Sequence, residues 1–350
     1  MRSLLALAAL LMGSTAALAE VPRVVASIKP VHALVSAVMG DLGTPELLVK
    51  GAASPHAYSL KPSDAAALQQ AQIVFWTGHQ FEVFLEDALE TVAASAQSVT
   101  LGEAPGITLL PAREGGMFEA HDHAHEGEHD EHDHDHDHED HDHEAEHDHA
   151  HGDDHDGDVA HADEHAHEEG EHEHEHEHGE MDMHTFLDPE NAKAMLGLIE
   201  ATLAEADPDN AATYAANAAA ERQALDALEA EVDTKLAAIK DRPIVVFHDA
   251  YQYFGARFGL NIVGSITVSP ESMPGADRIT QIREKLKTLD AACVFAEPNF
   301  DPRIVGVLVE GTEAGVGTLD PEGASLEPGK GLYATLINGL ADGLLECLQK

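Results

Sequence analysis

Three histidines of the chain occupy positions where metal ligands are commonly found. His248 follows the apolar run PIVVF, His184 stands in DMHTFLDP, and His56 lies in the Gly/Ser/Pro-rich stretch GAASPHAYSL. Neutral imidazoles are favoured ligands of zinc, which binds nitrogen in tetrahedral geometry at about 2.0–2.1 Å. If the fold brings the three rings together, the chemistry is metal binding. Spacing alone leaves each histidine equally open to an ordinary surface or core position.

Two other residues are candidates to line the same site. His79 and Glu82 follow the apolar run IVFWT at 73–77, where we expect a strand to end. The simpler interpretation is a pair of surface residues, the alternative is direct ligation of the metal, and contact with a metal ligand lies between the two. His32 falls in a predicted helix, and we expect it to be structural or solvent-facing.

Residues 119–180, which we call the acidic His segment, contain 21 histidines and 28 acidic residues but no lysine or arginine. With almost no large apolar side chains, this segment cannot bury enough surface to fold, and we expect it to be disordered without metal. Its repeats offer many loosely organised sites for divalent cations, among them His132, His134, His136 and His138. We interpret it as an auxiliary segment that gathers metal, and a solubilising spacer is the alternative.

The acidic His segment also dominates the formal net charge of −46. Removing its 28 acidic residues leaves −18 on the rest of the chain. A moderate negative charge argues against nucleic acid and anionic lipid as partners.

The first 19 residues have the pattern of a secretory signal peptide. Arg2 precedes the apolar run LLALAALLMG, and the small residues ALA precede Glu20. We therefore expect an exported protein, with no later run long and apolar enough to span a membrane. Export exposes Cys293 and Cys347 to an oxidising compartment, where a disulfide is favoured over two buried thiols.

Strand-like and helix-like segments alternate on both sides of the acidic His segment, which is typical of parallel sheets covered by helices. The strands are predicted at 23–28, 46–49, 73–77, 243–247, 260–266, 292–297 and 316–320. The fold class is therefore α/β, with two lobes that each contain a parallel sheet. Ligands of such sheets bind outside the carboxyl ends of the strands, so the cleft between the lobes is the expected site.

A long Ala-rich helix is predicted between the two sets of strands. Its apolar residues recur in steps of three and four from Leu225 to Ile239. The expected domains are an N-terminal lobe of residues 20–118 plus 181–206, a linking helix at 207–241 and a C-terminal lobe at 242–350.

Five stretches of the chain carry a family resemblance. They are SIKPVHALVSAV, SPHAYSLKPSDAAALQQA, DMHTFLDPENA, FHDAYQYFGARFGL and CVFAEPNF followed by VGTLDPEG. Together they resemble the ZnuA family of periplasmic zinc-binding proteins, the substrate-binding components of high-affinity zinc ABC importers. The resemblance implies a periplasmic monomer that captures Zn²⁺ and passes it to an inner-membrane ABC permease, with periplasmic zinc chaperones as further partners. It also implies a disulfide between Cys293 and Cys347.

The resemblance places the three zinc ligands of the family on His56, His184 and His248. Manganese-binding relatives have a glutamate at the position of His248, which suits a harder ion. Some zinc-binding members have a ligand glutamate before the first histidine, where this chain has Pro55. The fourth position is therefore left to water, to Asp320 of TLDP or to a histidine of the acidic His segment.

Other functions compete with capture for transport. Three histidines with an open position are also the arrangement of catalytic zinc, but no predicted helix carries HExxH and the sequence has no GxSxG pattern, so we expect no enzyme. A zinc storage or buffering protein, dominated by the acidic His segment, is the second alternative. A binding protein for Mn²⁺ or Ni²⁺ is the third.

Overall fold

The fold contains two four-stranded parallel sheets, each covered on both faces, and their central strands are short β-branched and aromatic runs. The computed structural model describes residues 21–113, 118, 181–267, 275–288, 291–298, 300 and 303–349. The first sheet has the order β2-β1-β3-β4. Its strands are β1 (Val24–Ala26), β2 (Glu46–Leu47), β3 (Ile73–Trp76) and β4 (Gln97–Thr100). Every residue of β1 and β3 is buried, as expected for strands with helices on both sides.

A short antiparallel pair, β5 (Leu110–Pro111) and β6 (Met181–Asp182), stands between the two large sheets along the chain. The second large sheet has the order β10-β9-β7-β8. Its strands are β7 (Ile244–His248), β8 (Ile262–Thr267), β9 (Cys293–Ala296) and β10 (Gly315–Thr318). The prediction of an α/β fold with two parallel sheets is confirmed. We call the part built on β1–β4 the N-terminal lobe and the part built on β7–β10 the C-terminal lobe.

The helices of the described residues cover these sheets. They are α1 (Lys29–Met39), α2 (Pro62–Gln70), α3 (Glu86–Thr91), α4 (Pro189–Ala206), α5 (Ala211–Leu236), α6 (Gln252–Phe258), α7 (Ala276–Thr288), α8 (Arg303–Val309) and α9 (Leu332–Leu348). No helix in the described part of the chain combines the length and the apolar character that crossing a bilayer requires.

The long helix begins and ends inside its predicted limits of 207–241. Pro208 opens a separate 3-10 turn, Pro208–Asn210, before α5. Asp207 accepts a hydrogen bond from Tyr214 Oη at 2.9 Å and holds this turn against the helix. The buried side of α5 packs against α1 and α4 and against α9, so it contacts helices of both lobes. One hydrophobic core therefore runs through both lobes.

A disulfide joins the second sheet to the final helix. Cys293, the first residue of β9, is bonded to Cys347 of α9. Both residues are buried. The predicted disulfide is confirmed.

Replacing both cysteines by alanine is expected to lower the free energy of unfolding by roughly 2–4 kcal/mol, because the crosslink closes a long loop in the unfolded chain. The sequence separation of the two cysteines is 54. Denaturant unfolding of the oxidised protein, with and without the double substitution, measures this difference. Equal midpoints and slopes for the two proteins would contradict the expectation.

Candidate metal centre

Three histidines from separate segments meet where the two lobes face each other. His56 lies in a 3-10 turn after β2, His184 opens a 3-10 turn after β6, and His248 is the last residue of β7. The ring centroids are 5.3 Å apart for His184 and His248, 5.4 Å for His56 and His184, and 5.8 Å for His56 and His248. One nitrogen of each ring lies within 4.8 Å of the other two. The structure thus brings together all three histidines that the sequence singled out.

Two of these rings each contact a buried carboxylate of their own. His184 Nδ1 is 2.8 Å from Asp182 Oδ1, which also accepts the backbone N–H of His184 at 2.9 Å. His248 Nδ1 is 2.8 and 2.9 Å from the two oxygens of Glu297. A ring that donates its Nδ1 proton to a carboxylate keeps the lone pair of Nε2 for a metal. The two carboxylates therefore favour the metal-binding tautomer and fix the direction of each ring.

Glu297 owes its position to the strand order. It follows β9 directly, and β9 is hydrogen-bonded to β7, which ends at His248. The carboxyl ends of neighbouring parallel strands lie at the same edge of a sheet, so the two side chains meet. Tyr251 Oη donates a further hydrogen bond to Glu297 at 3.1 Å. Burial raises the pKa of the Tyr251 hydroxyl, and the charge of Glu297 adds to this effect, so Tyr251 remains a donor.

An aromatic side chain forms the apolar wall of the site. The Phe81 ring packs edge-on against His56 at 4.7 Å and against His184 at 5.0 Å between centroids. It is fully buried. An apolar wall keeps water away from the imidazoles and lowers the local dielectric. Neither Phe81 nor the two carboxylates behind the rings were candidates from the sequence.

Glu82, a predicted neighbour of the site, is buried next to Phe81. Its carboxylate accepts hydrogen bonds from Ser27 Oγ at 2.5 Å and from the backbone N–H groups of Thr77 and Gly78 at 3.0 Å. These contacts hold the turn that carries Phe81. Burial raises the pKa of Glu82 to about 7, although the hydrogen bonds oppose this shift. His79 is exposed, and the expectation that it lines the site stays a prediction.

Two carboxylates of the C-terminal lobe approach the histidines. Asp320 belongs to the loop after β10 and accepts N–H hydrogen bonds from Ala324 at 2.9 Å and Ser325 at 3.3 Å. Among the described residues, the group of converging donors contains the three histidines and does not include Asp320. Glu322, which was not a candidate from the sequence, places Oε1 4.0 Å from His56 Nε2. Ligation by Asp320 stays a prediction.

A small cavity of about 10 Å³ lies beside these groups, lined by His248, Glu297, Asp320 and Glu322 among others. A cavity of this size is at the lower limit of what one water molecule needs. His132, His134, His136 and His138, like the predicted signal peptide, lie outside the described residues.

A family profile described as "ZnuA: Zinc-uptake complex component A periplasmic" matches residues 24–347. The chain belongs to this family. A "High-affinity zinc uptake system protein ZnuA" from Brucella suis biovar 1 is 53% identical over 327 residues, which cover 93% of this chain and 92% of the relative.

Solved structures agree in fold with this family assignment. A "Crystal structure of ZnuA" has a TM-score of 0.68 at 24% identity and covers 94% of this chain and 99% of that chain. The "SBP FpvC" from Pseudomonas aeruginosa in complex with Mn²⁺ has a TM-score of 0.69 at 19% identity, with 94% and 99% coverage. The shared fold therefore extends to a protein crystallised with another divalent metal.

Replacing Glu82 by glutamine is expected to flatten the dependence of stability on pH. The pKa of Glu82 is raised from 4.5 to about 7, so in that window the folded state keeps a proton that the unfolded state has lost. Stability of the unmodified protein therefore falls as pH rises from about 4.5 to 7, by on the order of 3 kcal/mol from this group. Glutamine does not titrate and removes this term.

Denaturant unfolding from pH 4 to pH 8 measures the effect. Replacement of the exposed Glu86 by glutamine is the control for loss of one negative charge. Parallel pH profiles for the unmodified protein and the Glu82 variant would show that Glu82 keeps its ordinary pKa.

Proposed function

We propose that this protein captures Zn²⁺ between its lobes and delivers the ion to an ABC-type permease of the inner membrane. The observation that carries this proposal is the convergence of His56, His184 and His248, two of them backed by buried carboxylates. Family membership agrees with it, since the family description names zinc uptake and the periplasm. We further propose that the protein acts as a monomer in the periplasm, that periplasmic zinc chaperones are additional partners and that it has no catalytic role.

The donor set favours zinc over harder ions. Three imidazole nitrogens suit zinc, whereas manganese prefers oxygen ligands. His248 supplies a nitrogen ligand at the position where manganese-binding relatives have a glutamate, so this residue favours zinc over manganese. FpvC, which shares this fold, has been solved in complex with Mn²⁺ and with Ni²⁺, so binding of manganese or nickel is the second candidate function. Competition titration separates the two candidates, because zinc should displace manganese at equal concentrations.

The fourth ligand has several candidates. Water and Asp320 are supported by the small cavity beside His248, which Asp320 helps to line. A histidine of the acidic His segment is a third candidate. Glu322 is a fourth, because its carboxylate lies 4.0 Å from His56 Nε2. The carboxylates of the C-terminal lobe also offset the charge of a divalent cation.

The acidic His segment has a separate proposed role. Its weak sites gather zinc from dilute surroundings, while the cleft holds the transported ion. The alternative, a storage protein, makes the segment the main site. Capture in the cleft and storage by the acidic His segment predict different numbers of tightly bound zinc ions per protein. They also differ in which change to the chain should abolish tight binding.

Replacing all three histidines of the cluster by alanine is expected to lower the affinity of the tight zinc site by more than about 100-fold, because the nitrogen ligands are lost. The substituted residues are His56, His184 and His248. Removal of residues 119–180 should leave that site intact and reduce only the number of weakly bound ions. Competition with a zinc chelator measures affinity, and calorimetry counts the ions. The His79→Ala variant provides the comparison with an exposed histidine.

Two outcomes would contradict the proposal. Loss of tight binding on deletion of 119–180 would favour storage by the acidic His segment. Unchanged affinity in the triple alanine variant would place the tight site elsewhere.

Glu297→Gln is expected to weaken zinc binding by about 10–100-fold, because groups that orient a ligand histidine contribute this much to affinity. The amide of glutamine is neutral, and it pairs less well with the Nδ1 proton of His248. Chelator competition measures the change. Asp182→Asn tests the equivalent contact at His184, and unchanged affinity in both variants would show that neither carboxylate matters for binding.

A further inference from the structure

A buried lysine in the N-terminal lobe binds a loop of the C-terminal lobe. Lys29 is the first residue of α1, and only 5% of it is exposed. Its ammonium group donates hydrogen bonds to the carbonyl oxygens of Gly323 at 2.8 Å, Ala324 at 2.8 Å and Leu326 at 2.9 Å. An ammonium has three N–H donors, so each of them has an acceptor in this one loop.

The loop at 320–326 is organised from both lobes. Asp320, from the C-terminal lobe, accepts the N–H groups of Ala324 and Ser325. Lys29, from the N-terminal lobe, binds the carbonyl groups of the same turn. Asp320 therefore shapes the turn, whereas Lys29 attaches it to the opposite lobe.

The attachment of the loop to Lys29 determines the position of Glu322. It stands between Asp320 and Gly323, and its carboxylate lies 4.0 Å from His56 Nε2. A cavity of about 10 Å³ is lined by Lys29, Pro55, Glu322 and Ala324 among others, so the loop lies against the turn that carries His56. Burial lowers the pKa of Lys29, and the charges of Asp320, Glu327 and Glu322 oppose this shift. The ammonium thus sits close to the carboxylates of the site.

The contact suits a reversible attachment. If the loop leaves, water can solvate both the ammonium and the three carbonyl groups, so opening does not leave a buried charge unpaired. An apolar contact of the same size would expose hydrocarbon to water on opening. A lysine that binds three carbonyl groups therefore favours closure without making it permanent.

We propose that Lys29 is a positioning residue that fastens the 320–326 loop over the histidine cluster and thereby slows release of the bound ion. This inference rests on the proposed function, since it takes Zn²⁺ as the ion. Lys29 acts through the loop and Glu322, not by contact with the ion.

We expect substitution of Lys29 to change the rate of zinc release more than the rate of zinc binding. Lys29→Met preserves the length and apolar stem of the side chain but removes all three donors. The zinc dissociation rate should rise by at least about tenfold, since several charge-assisted hydrogen bonds are lost. The association rate should change by less than about threefold, because the ion enters while the loop is open.

Stopped-flow release of zinc to excess chelator measures the dissociation rate. Lys29→Gln keeps two N–H donors and should give an intermediate rate, and it also tests the inference if the methionine variant does not fold. Lys50→Met is the matched control, because Lys50 is an exposed lysine of the same lobe, paired with Glu46. Its dissociation rate should stay within about twofold of the unmodified protein.

A double-mutant cycle with Glu322→Gln tests the route of the effect. If Lys29 acts by placing Glu322, the two substitutions together should raise the dissociation rate by less than the product of the single effects. Multiplicative effects would overturn the proposed route. Unchanged dissociation in both Lys29 variants, or a change confined to association, would overturn the inference itself. Absence of tight zinc binding in the unmodified protein would instead overturn the proposed function.

Discussion

The site depends on one packing constraint: two sheets with no strand in common must be held so that their carboxyl ends face each other. The packing of α5 against α1, α4 and α9 supplies this constraint, because one hydrophobic core then spans both lobes. Polar contacts fix the alignment near the histidines. Arg257 of α6 binds Asp188, which caps α4, at 2.7 and 2.8 Å, and Tyr333 of α9 donates to the carbonyl oxygen of Phe186 at 2.7 Å. Both contacts tie the segment after His184 to the C-terminal lobe.

The charges around the cluster are arranged for a cation. Asp182 and Glu297 lie behind two rings, and Glu322 approaches the third. Buried carboxylates are costly when they lack positive partners. A divalent ion bound by the imidazoles offsets this cost, so the same groups that orient the rings also increase the attraction for the ion. A cluster of three histidines in an apolar pocket would lack this contribution.

Sequence patterns predicted the parts of the site that depend on local order. His248 could be placed at a strand end because PIVVF is a continuous apolar run, and the two parallel sheets followed from alternating segments. Glu297 could have been found in the same way, since it is the last residue of the strand predicted at 292–297. The strand β4 was missed because QSVT has two exposed residues and little apolar character.

The contacts of Lys29 and Glu322 could not be predicted from the sequence for another reason. Lys29 contacts a carbonyl group 294 positions away in sequence, and no local pattern records such a pairing. Glu322 lies in a loop whose path is set by Asp320 and Lys29 rather than by its own residue types. Contacts between lobes follow from how the helices pack, and periodicity describes only which face of a helix is buried.

The pairing of β5 with β6 has a consequence for how this chain can vary. The two strands bring residue 111 next to residue 181, and the hydroxyl of Tyr253 binds both strands, accepting from Leu110 N at 2.9 Å and donating to Asp182 O at 2.6 Å. The ends of the intervening stretch are thus fixed beside each other, and His184 takes its position from β6. Because the entropy of closing a loop grows only slowly with length, insertions or deletions between these strands cost little stability. A change in the number of histidine repeats should therefore have little effect on the position of the cluster.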